Sequence, residues 1–272
     1  MQSQRPRRVP ARPALLCALL LSLALAAGCA SNSEGEPSPQ GDGAATATSS
    51  ADSPQAVSDI SEEEAREVAE KVLLRLKDFP VGWSQLPPEQ DEEDPDLGLP
   101  EECRTFFEQE MPPGAILDID SPKFEGPDEE EVDSGATVYV DADAARQAFL
   151  DARQFMDRCK DPFREAFTKY LQQLYQEKAQ ESGQSIEVVA FTMDLLSFPP
   201  YGDESFSTRM SFTVNVGSQT LDFYLDMFSW RVDRIEGDMS FSTQFEIPDI
   251  DEEQRLAQII EERLNDAVKD LD

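Results

Sequence analysis

The chain has 272 residues, 56 of them Asp or Glu against 23 Lys or Arg, no histidine, and a formal net charge of −33. That balance excludes nucleic acid, whose affinity rests on Lys/Arg contacts to phosphate, and broad docking on an anionic membrane surface, which needs basic clusters. Lacking histidine, the chain also lacks the usual general base, the Ser-His-Asp and Cys-His arrangements and the commonest zinc ligand.

Residues 1–28 read as an export leader. Arg5, Arg7, Arg8 and Arg12 precede an apolar run over 14–27, shorter than the ~20 residues of a membrane-spanning helix. The run closes on Ala26-Ala27-Gly28-Cys29, which resembles a bacterial lipobox, where the cysteine sulfur takes a diacylglyceryl group and the chain is cut before it. Ala26 stands where Leu is commonest, and Leu25 sits one place early. Cys29 is therefore read as the mature N-terminus and a diacylglycerol- and palmitate-bearing anchor, several acyl chains on one residue giving stable attachment. An ordinary secretory cut leaving a free thiol is the alternative. Residues 29–58 read as a lipid-anchored disordered linker. From 30 onward they are Ser, Gly, Ala, Pro, Thr and acidic residues, too poor in large apolar side chains to offset their ordering entropy. The anchor implies a cell-membrane or outer-membrane protein facing away from the cytoplasm. Ala30 lacks the Asp that retains many lipoproteins at an inner membrane.

The remainder, 59–272, suits one domain. Ser61-Glu62-Glu63-Glu64 is a capping box, followed by an apolar helical face of Ala65, Val68, Ala69, Val72, Leu73 and Leu76. Asp78 to Trp83 ends that helix in a Pro/Gly turn, and a short helical piece over 101–110 carries Cys103. Residues 115–124 and 132–141 read as strands across the acidic turn 126–131. Asp141 opens a second helix with Ala145, Ala148, Phe149, Ala152, Met156 and Cys159 on one face. Pro162 reads as the start of a third, with Phe163, Ala166, Phe167, Tyr170, Leu171 and Leu174 inward. Beyond Ser182-Gly183 the period changes to that of strands, over 186–198, 206–216, 220–232 and 238–247, with Gly217-Ser218 and Glu236-Gly237 as hairpin turns. On the long strand over 220–232, Leu221, Phe223, Leu225, Met227, Ser229 and Arg231 share a face and Tyr224, Phe228 and Trp230 the other, so helices are expected over at least one. Pro248, Asp249 and Asp251 lead into a terminal helix with Leu256, Ile259, Ile260, Leu264 and Val268 inward. The class is α+β, a mainly antiparallel sheet meander covered by amphipathic helices and preceded by a disordered tether.

Four cysteines are present. Cys17 belongs to the leader and Cys29 to the anchor, so Cys103 and Cys159 remain as one pair in an exported chain, where disulfides persist; two buried thiols are the rival reading. No catalytic constellation stands out, and the expectation is a protein that is not an enzyme and carries no cofactor or metal. The loops over 91–98 and 126–135 have the oxygen ligands calcium wants, but not the EF-hand order, and read as solvated loops. Gly202-Asp203-Glu204-Ser205 reads as a turn or the corner of a site. Trp83 reads as a plug in the core, or as an aromatic beside a groove. Trp83, Asp203, Glu204 and Trp230 are the candidate ligand-facing residues.

Three stretches carry a family likeness: VLLRLKDFPVGWSQLP (72–87), GATVYVDADAARQAFLDARQFMDRC (135–159), and YGDES (201–205) with the strands and closing helix after it. Over roughly 64–268 the chain resembles bacterial lipoproteins similar to the extracellular sensor domain of PknH-type kinases. The resemblance implies an α+β domain that binds a ligand in a cleft beside the sheet, and no catalytic residue. The kinase-linked members carry two disulfides, whereas this domain has cysteines for one. The expected function is a lipid-anchored, non-catalytic, sensor-like domain whose partner is a small molecule or an envelope protein. A structural envelope lipoprotein and a carboxylate-dependent envelope hydrolase are the alternatives.

Overall fold

In the computed structural model, residues 60–88, 97–107, 111–182 and 185–271 are described. The leader, Cys29, the linker and residues 91–96 of the acidic loop lie outside them.

Ser61 caps helix α1 (Glu62–Val72): its hydroxyl accepts from Glu64 N–H at 3.3 Å while the Glu64 carboxylate accepts from Ser61 N–H at 2.9 Å. Ala65, Val68, Ala69 and Val72 are buried as the spacing predicts. The helix stops at Val72, and Leu73 after it has already left the helical conformation, at φ −57° and ψ 144°. Leu74 N–H donates to Ser134 Oγ at 2.9 Å, and Leu76, expected on the apolar face, lies exposed in a 3₁₀ turn, Leu76–Asp78.

Eight strands form one antiparallel sheet: β1 (Ser84–Gln85), β2 (Ala115–Asp120), β3 (Phe124–Glu125), β4 (Glu131–Tyr139), β5 (Ile186–Leu195), β6 (Glu204–Val216), β7 (Gln219–Val232) and β8 (Ile235–Gln244), in the order β1-β3-β4-β8-β7-β6-β5, with β2 also on β4. The single strand expected over 115–124 is two pieces, β2 and β3, which pair with different parts of β4. Ser121-Pro122-Lys123 interrupts them, Pro122 having no N–H for a ladder, and the Ser121 hydroxyl accepts from Ser134 N–H at 3.0 Å.

A second correction concerns the last hairpin. Glu236-Gly237 is not a turn. The chain reverses at Asp233-Arg234, with Asp233 at φ +52°, and residues 236 and 237 lie inside β8. Gly237 is needed for close approach instead, since a Cβ there would come within 2.9 Å of Leu264 Cδ1 and 3.2 Å of Ile260 Cγ2.

Helix α2 (Glu101–Phe107) is short, and α3 (Ala142–Ser182) is one helix of 41 residues with Pro162 inside it, not the two that Pro162 suggests. An interior proline loses a hydrogen bond and crowds the preceding turn. Here the residues on either side bury along one line, with Phe149, Phe155 and Cys159 before the proline and Phe163, Phe167, Leu171 and Tyr175 after it. Cys103 and Cys159 are joined in a disulfide that fastens α2 to the middle of α3. Helix α4 (Ile250–Lys269) starts at Asp249, whose side chain accepts from Asp251 N–H.

Both faces of the sheet are covered, but unequally. On one side α1 and α4 bury Val132, Ala136, Val138, Phe228, Trp230, Ile235, Met239 and Phe241. Arg263 clamps the two helices together, donating to Leu73 O and Asp78 Oδ1, each at 2.6 Å. On the other side α3 lies mainly along β5, where Phe163, Phe167, Leu171 and Tyr175 meet Phe191, Met193, Phe212, Val214 and Phe223. Among the described residues no helix is long and apolar enough to cross a membrane.

Candidate functional site

Side chains alternate between the faces of a strand, and directly paired residues share a face. On β8 this sends Ile235, Gly237, Met239 and Phe241 to the α4 core and Glu236, Asp238, Ser240 and Ser242 to the α3 side. On β2, Leu117 joins the core, which leaves Asp118 and Asp120 on the α3 side with their partners on β4, Thr137 and Gly135. The register then assembles polar rows. Asp118, Thr137, Glu236, Arg231 and Glu204 line up across β2, β4, β8, β7 and β6; Asp120, Gly135, Asp238 and Ser229 form the next row; Asp133, Ser240, Met227 and Thr208 the third.

Five carboxylates therefore share the part of this face that α3 leaves. Asp133 is buried, Asp118, Glu236 and Asp238 are half-buried, and Asp120 is exposed at the rim. Neutral donors hold several in place. Thr137 Oγ1 donates to Asp118 at 2.8 Å, the Tyr139 hydroxyl to Glu236 at 3.0 Å, and the Ser240 hydroxyl to Asp133. Gly135 lets Asp238 lean across β4, for a Cβ at 135 would stand 2.3 Å from Asp238 Oδ2.

The crowding shows in the acidities. Burial pushes the Asp120 carboxyl up to about 7, the charges of Asp118 and Asp133 add to this, and Lys123 opposes it. Asp120 is the most exposed of the five, so water moderates its shift. Burial also pushes Glu236 up to about 7; the Tyr139 hydroxyl and Arg231 pull it down, and Asp118 pushes it up. Asp238 lies well above the ordinary carboxylate range, first through burial and then through Asp120, Asp118, Glu236 and Asp133. The ensemble attracts cations when ionised and stores protons near neutrality.

The Gly202-Asp203-Glu204-Ser205 segment turns at Gly202, φ +58°, and opens β6. Asp203 and Glu204 converge on Arg231, which donates to Glu204 Oε2 at 3.1 and 3.2 Å, to Asp203 Oδ2 at 3.3 Å and to Asp233 O at 2.6 Å. This corner ends the first polar row, so two of the four sequence candidates stand beside the carboxylate face. The other two do not. Trp230 is buried in the α4 core with its ring 5.9 Å from that of Tyr201. Trp83 stacks on Phe79 at 4.5 Å and packs against Gly126 near the opposite edge of the sheet.

A separate acidic pair lies under α4. Asp226 on β7 and Glu253 on α4 are fully buried, and Arg209 grips Asp226 through Nε at 2.7 Å and through a second nitrogen. Burial, hydrogen bonding with Asp226 and the Asp226 charge push Glu253 up to about 9, against the pull of Arg209. Among the described residues no group of three or more Asp, Glu, Cys or His is placed to hold a metal ion.

No protein-family model matches the chain, and no curated protein does. A solved structure does. It is the extracellular domain of PknH from Mycobacterium tuberculosis, 12% identical, with a TM-score of 0.43 over 75% of this chain and 97% of that one.

The carboxylate face is absent from the sequence-derived candidates. Its signal is the alternation in ILDID (116–120) and IEGDMSFS (235–242). Reading Gly237 as a turn hides the second of these, because it cuts the strand between Glu236 and Asp238.

Proposed function

We propose that this protein is a lipid-anchored, non-catalytic binding domain on the outer side of a bacterial membrane, sensor-like in holding a ligand on the sheet face that α3 leaves. One observation carries the binding role: five carboxylates stand together on one face of β2, β4 and β8, Asp133 buried and the other four partly open to solvent, and three of the five are pushed far above their ordinary acidity range. Crowded carboxylates work against folding, and the register would accept apolar or neutral side chains in the same places. A site that trades stability for charge is the mark of function. Asp203, Glu204 and Arg231 form the corner of that face. The anchor rests on the leader, on Cys29 and on the linker after it.

Two measurements test this reading. Phase separation of a detergent extract is expected to place the protein with the detergent and a Cys29→Ala variant in the water; retention of the variant in detergent would remove the anchor. Native mass spectrometry of the exported protein beside its denatured mass is expected to reveal an adduct lost on denaturation and lost again in Asp238→Asn.

A second reading starts from the same face, since two neighbouring carboxyl groups of differing acidity are the equipment of a glycoside hydrolase: Glu236, pushed up to about 7, stands near Asp118, which burial raises and the Thr137 hydrogen bond opposes. Release of sugar from purified envelope polymer, abolished by Glu236→Gln, would replace the binding role with a catalytic one.

A further inference from the structure

The inward stripe of α4 is apolar except at its first position. Its buried residues are Glu253, Leu256, Ala257, Ile260, Leu264 and Ala267, and helical spacing calls for an apolar side chain where Glu253 stands. The approach to this position is open. Phe245, Glu246, Ile247, Asp249, Ile250 and Asp251 are exposed, and Pro248 is the buried exception. Two buried points therefore hold the beginning of α4 to the sheet, and one of them is a carboxyl. The connection from β8 is also strained. Phe245 takes φ +72°, a region unfavourable for a bulky side chain. It is kept there by its N–H donating to Asp222 O at 2.7 Å and by Thr243 Oγ1 donating to Glu246 O at 2.6 Å.

Beneath this first turn Glu253 meets Asp226, and both are fully buried. One guanidinium, that of Arg209, serves the two acids, and it is engaged by both oxygens of Asp226. Beyond Asp226, no partner reaches the Glu253 carboxyl among the described residues. As a protonated acid Glu253 stays under the helix and donates to Asp226. As a carboxylate it faces a second buried carboxylate with no cation of its own, and only water can solvate it. We propose that Glu253 is a pH-operated latch on the start of α4. Protonated, it holds the first turn against β7; ionised, it lets that turn swing out on the 245–249 connection while the rest of the helix stays docked. The other charged and titratable groups around it supply no second cation. They are Asp249 and the Glu252–Arg255 pair on the helix side, Tyr224 on β7, Tyr201 of the loop before β6, and Asp194 of β5 opposite Arg209, itself joined to Lys160 of α3. On β8 the residue opposite Asp226 is Phe241. A carboxyl raised by burial and by its neighbours keeps its proton while docked and loses it on release, so the latch is firm at low pH and weakens as pH rises. This device is independent of what the carboxylate face binds.

The test is amide hydrogen exchange of the detergent-solubilised full-length protein at pH 6, 7 and 8, in dilute urea and without it, each rate divided by the intrinsic rate at that pH. Amides 254–257, bonded to the carbonyls of residues 250–253, report the first turn, and amides 262–267 report the remainder of α4. Release of the turn sheds one proton across this range, so protection at 254–257 is expected to fall about tenfold per pH unit. It is expected to lie below that at 262–267 and to be indifferent to dilute urea, because a local opening exposes little surface. Amides 262–267 are expected to lose protection as urea is added. In Glu253→Gln, which keeps a donor for Asp226, the pH slope at 254–257 is expected to vanish. Asp226→Asn, which leaves Arg209 to a single carboxylate, is expected to flatten it as well. Equal protection and equal urea sensitivity in the two groups of amides would mean that α4 opens only with the whole fold, and this comparison within the parent needs no variant. That result, a slope absent from the parent, or a slope undiminished in Glu253→Gln would overturn the latch.

Discussion

Asp238 and Glu253 both hold protons that an ordinary carboxylate would release, for different reasons. Asp238 has burial and four neighbouring acids against it. Glu253 faces one buried carboxylate, and that contact becomes a hydrogen bond only while one of the two is protonated. The direction of the linkage is the same. A carboxyl whose folded pKa exceeds its unfolded value contributes fully below the unfolded value and loses that contribution as pH rises through the folded one. For Asp120 and Glu236 the window runs from about 4 to about 7. The melting temperature is therefore expected to fall between pH 5 and pH 8, and Asp238→Asn to flatten that fall, raising the value at pH 7.5 by about 2–4 °C if the relief is about 1 kcal/mol. An unchanged slope in the variant would mean that the cluster does not titrate as a unit. For Glu253 the window extends to about 9. Glu253→Gln keeps a donor for Asp226 without a proton to lose, so denaturant midpoints between pH 7 and pH 10 are expected to decline less in the variant than in the parent. Residues of this kind were poorly legible in the sequence. With 56 acidic side chains, no spacing rule singles out the few that register brings together. Asp203 and Glu204 were singled out because a glycine turn marked them, and Trp83, which the fold sets near the opposite edge of the sheet against Phe79 and Gly126, because it stands in a loop.

Elements were read more easily than their ends. The capping box of α1, the apolar faces of α1, α3 and α4, and the alternation along β6 and β7 are local patterns, and with the exception of Leu76 they appear where the periods place them. Two of the errors share one cause, which is that glycine and proline were read as punctuation; the break between β2 and β3 is the reverse case, a proline at 122 read through as strand. Pro162 lies within α3 because packing on both sides of it outweighs the lost hydrogen bond, and Gly237 lies within β8 because α4 needs its missing side chain. Gly237→Val is accordingly expected to destabilise the fold by about 1–3 kcal/mol through overpacking against Leu264 and Ile260, measured by urea unfolding. A neutral result would mean that α4 can shift without loss, and would return Gly237 to the role of an ordinary strand residue.

The whole molecule is a sheet with a closed face and a half-open one, and the disulfide belongs to the half-open side. Cys103–Cys159 ties α2 to α3 across a separation of 56 residues. By chain entropy such a link contributes about 4 kcal/mol, so Cys103→Ser/Cys159→Ser is expected to lower the guanidinium midpoint clearly and to steepen the slope, because the unlinked denatured chain exposes more surface. A midpoint equal to the parent's would place the stabilisation of α3 entirely in its contact with β5. The α+β class was legible from periodicity, and the pairing of the two cysteines from reading residues 1–28 as an export leader. The asymmetry between faces was not, because it depends on where α3 runs.

Strand β8 serves both faces with alternate residues: Ile235, Gly237, Met239 and Phe241 inward, Glu236, Asp238, Ser240 and Ser242 outward. A single residue inserted or deleted at the Asp233-Arg234 reversal would, if carried through β8, exchange the two sets, burying carboxylates under α4 and turning the core outward. It spares the fold where a bulge takes it up, as the irregularities in β2 and β5 do elsewhere in this sheet. In a lineage of such proteins, a hairpin longer or shorter by one residue should therefore carry a bulge beside the reversal, while the identities of the outward residues remain free to change with the ligand.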